Sequence, residues 1–242
     1  MKNSHHTLAL LGLCVALCAF STISDGNKKF YNAYISGIQS FWHDGIRVMK
    51  ETDLSDNETK FQLAVGQYGL LNATMKDKDE KTFDEFADNT IETFEELIDD
   101  DYKVAECKAV LSSIYGLKMA YSPWKGIYLG SKSNRLMEEA KKNGEDSPLV
   151  WKLYGGSKLF TPKTWGGNPE KAVAALEEAV RLFESKGQIE NNWLYLDTMA
   201  LLGIAYAKTK DQERARATFN KALEIEPDFG WVKYSLLPQV NQ

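Results

Sequence analysis

The run from Met199 to Pro227, MALLGIAYAKTKDQERARATFNKALEIEP, constrains this chain more than any other stretch. Two segments of helical period meet at a short polar turn. Leu202, Gly203 and Tyr206 mark the first, and Ala215, Phe219 and Ala222 mark the second. Gly203 and Ala215 are small enough to let two antiparallel helices cross closely, while Leu202, Tyr206 and Phe219 fill the groove between them. Asp211 is placed to cap the start of the second helix, and Pro227 follows its last turn and stops it. Such a hairpin leaves one apolar face wet unless like hairpins stack against it. The run therefore demands neighbours of its own kind.

Those neighbours lie upstream at a constant spacing. Tyr115-Gly116 recurs 39 positions later as Tyr154-Gly155. At the same offset Tyr121-Ser122-Pro123 recurs as Phe160-Thr161-Pro162, and Met137 and Ala140 recur as Leu176 and Ala179. The tetratricopeptide repeat (TPR) runs W-x2-L-G-x2-Y, then A-x3-F, then a closing Pro. The C-terminal run resembles it at Leu202-Gly203-x2-Tyr206, Ala215-x3-Phe219, Ala222 and Pro227, with Met199 in the Trp position. Trp151-x2-Tyr154-Gly155 resembles its first half, and Ala172-x3-Leu176-x2-Ala179 its second. Between those halves the upstream unit has a longer inner loop than the last repeat.

The N-terminal third is patterned more loosely. Phe30, Tyr34, Ile38, Phe41 and Met49 share helical spacing up to a break at Asp53-Leu-Ser-Asp56-Asn57. Phe61, Val65, Tyr68, Leu71 and Met75 predict a second helix, and Phe83, Phe86, Ile91, Phe94 and Leu97 a third. After Pro227, Phe229 to Gln239 reads as a short capping helix. The expected architecture is all-α: a TPR-like right-handed superhelix of antiparallel hairpins with about nine or ten helices. Its expected divisions are divergent hairpins over 25–103, two hairpins with enlarged inner loops over 104–186, a consensus-like repeat over 191–227 and a cap over 228–242. Ahead of them, Lys2, the apolar run Leu8 to Phe20 and the small polar stretch STIS predict a signal peptide over 1–24 and an exported, periplasmic or secreted product. The run is too short to span a bilayer. Cys14 and Cys18 follow leucines rather than small residues, which counts against lipid attachment.

Removing that leader leaves Cys107 and His43 as the last cysteine and histidine. That excludes an internal disulfide and a typical zinc site, and it leaves a catalytic triad only His43. His43 and Asp44 are adjacent on a helix and do not face each other. No catalytic residue, metal or cofactor is indicated, and the chain reads as no enzyme. The net charge of −5 argues against nucleic acid as the partner.

The stretch WGGNPEKA, Trp165 to Ala172, is the one segment with the look of a phosphate loop. Its glycines fit neither G-x4-G-K-[ST] nor G-x-G-x2-G, whereas Asn168 and Pro169 are ordinary helix-start residues. SPWKG (Ser122 to Gly126) and TPKTWGG (Thr161 to Gly167) hold equivalent places in adjacent hairpins. Trp124, Lys125, Tyr128, Lys163, Trp165 and Trp193 are therefore the candidate binding residues. Two arrangements follow. Each Trp folds back as a plug over its own hairpin, which large apolar rings favour, or the rings stand exposed beside the lysines and hold a peptide or an anionic or aromatic group.

Two functions follow. TPR-like arrays present a concave surface to protein or peptide partners, with Asn32, Lys118, Lys158 and Asn192 as candidate polar members here. The enlarged hairpins with GGNPEKA also resemble the TPR-like T component of bacterial tripartite (TRAP-type) transporters, over roughly 105 to 230. That resemblance implies an exported accessory protein handling a small-molecule ligand.

Overall fold

A computed structural model describes residues 24–241. The leader read from the sequence, except its last residue, lies outside them. Helices α1 (24–36), α2 (Gln39–Lys50), α3 (Asn57–Asp77), α4 (Glu80–Asp99) and α5 (Val104–Tyr121) are followed by α6 (Gly126–Asn143), α7 (Pro148–Phe160) and α8 (Pro169–Ser185). Then come α9 (Trp193–Lys208), α10 (Gln212–Ile225) and a closing segment whose π turn Val232–Leu236 leads into α11 (Leu237–Val240). The described residues contain no strand.

Helix starts follow the sequence closely. Asp56, Asp79, Ser147, Asn168, Asn192 and Asp211 each accept a hydrogen bond from the first turn of the helix they precede. Pro148 and Pro169 occupy first-turn positions, where a missing N–H costs nothing. The single helix expected from Phe30 to Met49 is instead two, because Gly37 adopts a left-handed φ of 67° and turns the chain.

The hairpins α3/α4, α5/α6, α7/α8 and α9/α10 stack in order, with α3, α5, α7 and α9 on the inner side and the even-numbered helices outside. Gly203 meets the Phe219 ring and Gly155 the Leu176 side chain, so the small-residue crossings occur where the pattern placed them. α1 and α2 complete the core from the N-terminal side. The Phe30 ring covers Gly66 and the Trp42 ring covers Gly69, and Phe30 and Trp42 stack 5.8 Å apart. Full burial of side chains this large stabilises by about 1.5–3 kcal/mol each.

α1 also crosses to the far end of the array. Tyr34 packs on Trp193 and on Phe229, with ring centroids 5.7 and 5.2 Å apart, and the Tyr31 hydroxyl donates to Glu226 at 2.8 Å. The chain's own first helix thus lies over part of the inner face and bridges the two ends of the array. A cavity of about 460 Å³ remains beside it, with Phe30, Phe61, Leu149, Asn192 and Trp193 in its lining.

Candidate functional site

At the centre of that bridge lies a buried charge pair. Lys152 of α7, only 3% exposed, places its ammonium 2.6 Å from Asp197 of α9. The Tyr34 hydroxyl donates to the other Asp197 oxygen at 2.7 Å. The rings of Tyr68 and Trp193 lie 5.7 and 5.9 Å from the Lys152 nitrogen. Burial works against the Lys152 charge, but Asp197 and Tyr68 together outweigh it and hold the pKa above the usual lysine value. Burial, then the Asp197 charge, raises Tyr34 well above the usual phenol range. No fully buried side-chain nitrogen or oxygen among the described residues is left without a partner. With both Asp197 oxygens and the Lys152 ammonium engaged, the cluster locks α1, α7 and α9 together. The signal in the sequence was a charge inside each of two apolar helical runs, WKLYGG and YLDTMALL.

The candidate residues divide between this lock and an exposed edge. Trp193 belongs to the lock: it is 8% exposed, edge-on to Trp42 at 5.1 Å, and it lines the cavity beside α1 rather than the edge of Trp124 and Trp165. Asn192 is the α9 cap, Lys118 pairs with Asp88 at 2.5 Å and Lys158 with Glu138 at 3.5 Å, each reaching an outer helix. Asn32 is exposed on α1. Asn192 also lines the cavity beside α1.

Trp124 and Trp165 do not fold back over their hairpins. They are 64% and 60% exposed. Trp124 packs on Tyr128 at 5.8 Å, and Trp165 reaches across so that a Cβ on Gly130 of α6 would sit 3.8 Å from its ring. Trp165 of the second inner loop therefore reaches the helix that follows the first one. Ile127, 86% exposed, and Phe160, 60% exposed, adjoin the two loops in sequence. Lys125 and Lys163 flank the tryptophans within two 3-10 turns, Pro123–Lys125 and Lys163–Trp165.

The glycine pair sets the second turn. Gly166 has a left-handed φ of 95°, and a Cβ on Gly167 would collide with the Thr161 carbonyl. The Asn168 N–H donates to the Lys158 carbonyl at 2.8 Å, which folds the loop back on the end of α7. This is a corner, and its backbone donors point into the chain.

Charge distinguishes the edge further. Neither Cys107 to Met137 nor Ser147 to Pro169 contains an Asp or Glu, although the chain carries 34 of them. Trp124, Tyr128 and Trp165 thus stand in the least acidic part of an acidic protein. Contiguous exposed apolar surface of this kind marks contact sites.

The remaining candidates are structural. His43 lies against Phe86 at 5.4 Å, and Cys107 is buried with its thiol 3.4 Å from the Tyr102 carbonyl. Among the described residues no group of three His, Cys, Asp or Glu side chains is placed to hold a metal. No described helix is long and apolar enough to cross a membrane.

A tetratricopeptide-repeat family model matches residues 196–229. The fold is TPR-like. Two solved structures share it. The HusA haemophore from Porphyromonas gingivalis is 16% identical, with 77% of this chain and 93% of that one covered at a TM-score of 0.57. A thermophilic TPR protein of Thermus thermophilus is 15% identical, with 88% and 100% covered at 0.56. No curated protein matches. In this TPR-like protein the consensus repeat is the last hairpin, and the departures from it, the first helix laid across the inner face and the enlarged loops, lie elsewhere.

Proposed function

We propose that this TPR-like protein is a non-catalytic scaffold or adaptor that holds a protein or peptide partner on its aromatic edge. Trp124, Tyr128 and Trp165 serve as apolar anchors, and Lys125 and Lys163 select an acidic partner surface. One observation carries the reading: large aromatic side chains stand more than half exposed in and beside two acid-free loops of adjacent hairpins, while the chain's first helix lies over part of the inner face. Exposed Trp and Tyr beside cations are the side chains on which interface energy concentrates. The leader read from the sequence supports export to the periplasm or beyond. An accessory role in solute transport uses the same edge and differs in the size of its ligand.

The test is affinity capture from the exported fraction, comparing wild type with the double variant Trp124→Ala/Trp165→Ala. Both side chains are exposed, so the variant keeps its fold, checked by circular dichroism. Partners lost from the variant support the edge. Identical partner sets for the two proteins refute it.

A further inference from the structure

Outside the edge, the outer helices form a series of grooves, and one groove breaks the series. Between α4 and α6, Lys132 donates to the Tyr115 hydroxyl at 2.7 Å and lies 3.7 Å from Glu95. Between α8 and α10, Arg214 lies 3.3 Å from Glu177, whose carboxylate also accepts the Tyr206 hydroxyl at 2.6 Å. Each groove is closed by a cation from the later helix and a carboxylate from the earlier one, clamped over a tyrosine.

The groove between α6 and α8 has the same parts in a different arrangement. By the 39-residue repeat, Lys171 corresponds to Lys132 and Tyr154 to Tyr115. Glu138 is the α6 counterpart of Glu177, but Lys158 has taken it, at 3.5 Å. Lys171 therefore has no carboxylate within ion-pair distance among the described residues, and neither has Lys141 on the opposite wall. The Tyr154 hydroxyl, unlike that of Tyr115, has no hydrogen-bond partner among them. An open cavity of about 430 Å³ remains, lined by Lys141, Trp151, Tyr154, Lys171, Ala174, Ala175 and Glu178, whose carboxylate is already held by Arg181 at 2.8 Å. Cavities of this size suit small organic ligands.

We propose that this groove binds a small aromatic carboxylate. The Trp151 indole is fixed by its Nε1 donating to the Glu145 carbonyl at 2.8 Å, and it offers a preset face for a planar ring. The methyl groups of Ala174 and Ala175 leave room for that ring. The Lys141 ammonium, 5.5 Å from the Trp151 ring and 4.7 Å from the Tyr154 ring, and Lys171 across the groove supply the two cations that a carboxylate bridges. In the neighbouring grooves a glutamate of the chain fills this role; here the ligand brings the carboxylate. The site goes beyond the scaffold reading and shares none of the edge residues.

Equilibrium dialysis of the full chain with 2-naphthoate, against its neutral relative 2-naphthamide, tests the proposal. Naphthoate binds saturably and at least about tenfold more tightly than the amide, as expected where charge-assisted hydrogen bonds hold the head group. Lys171→Met and Lys141→Met each remove most of that preference. Lys158→Met weakens naphthoate binding as well, because it releases Glu138 to pair with Lys171 and close the groove. Trp124→Ala/Trp165→Ala has no effect, which separates this site from the edge. Absence of saturable binding, equal affinity for acid and amide, an unchanged Lys171→Met variant, or a loss that follows the edge tryptophans instead would each overturn it. Every substituted lysine is at the surface or half-buried, and matched thermal melts verify the fold.

Discussion

Tyr34 and Asp197, 163 residues apart in sequence, share a 2.7 Å hydrogen bond that fastens the first helix to the inner face of the last full hairpin. Asp197 meets Lys152 through its other oxygen. Truncating Asp197 therefore strands a buried ammonium. Removing one member of a buried ion pair costs about 3–5 kcal/mol. Asp197→Ala is expected to lower stability by that amount in urea unfolding. Tyr34→Phe, which leaves the pair intact, costs about 1–3 kcal/mol. Equal losses for the two would show that the ion pair is not the dominant part of the lock.

The same cluster sets an alkaline limit. Tyr34 is raised by burial first and by Asp197 second; Lys152 is raised by Asp197 and Tyr68 against the pull of burial. In both, the folded state holds its proton more tightly than the unfolded chain, whose tyrosine and lysine titrate near about 10 and 10.4. Their contribution is complete below those values and fades as pH rises through the folded ones. Tyr31, Tyr195 and Tyr206, each bonded to a glutamate, are raised in the same sense. Melting temperature is expected to hold steady from about pH 7 to 9 and fall above about pH 10, less steeply in Tyr34→Phe. A melting temperature that rises above pH 10 contradicts this assignment.

How much of this was legible in the sequence follows from the range of each interaction. Caps and small-residue crossings are local, and Asn168, Asp211 and Gly203 sit where the pattern placed them. The repetition of SPWKG and TPKTWGG put Trp124 and Trp165 at equivalent places in adjacent hairpins, because a repeat offset fixes position in an array, and each stands in a 3-10 turn there. It carried no information on whether the rings turn in or out, and the expected plugs proved to be exposed side chains. Trp193 was misplaced for another reason. Its neighbours Tyr34 and Trp42 are contributed by α1 and α2, and contacts across the whole array leave no periodic trace. The turn at Gly37 was missed because apolar spacing runs on through it.

Cys107 is expected to be inert in the native protein. Burial first, and the neighbouring Glu106 second, push its thiol up to about 12. The thiolate is the reactive form, and an ordinary cysteine titrates near about 8.5. At pH 8 the native thiolate population is lower by roughly a thousandfold or more. Iodoacetamide labelling, followed at the Cys107 peptide by mass spectrometry, should proceed only after denaturant is added. Rapid labelling of the folded chain would show that α5 opens locally.

Two glycines in helix interiors separate packing from propensity. A Cβ on Gly116, in α5, meets nothing within 4 Å. One on Gly203, in α9, would run into the Phe219 ring. Alanine is favoured over glycine inside a helix by about 0.8–1 kcal/mol, so Gly116→Ala is expected to stabilise by up to that amount. Gly203→Ala gains the same propensity but overpacks the tightest crossing of the consensus hairpin, a cost of about 1–3 kcal/mol or more. Its net effect is destabilising, and thermal melts of the two variants should move in opposite directions. Gly116 and Gly155 occupy the same place in the repeat, yet only Gly155 is close-packed, with a Cβ falling 2.6 Å from Leu176. Gly155→Ala should therefore behave like Gly203→Ala. If it behaves like Gly116→Ala instead, the α7/α8 crossing relaxes freely and its glycine is not what sets the helix separation.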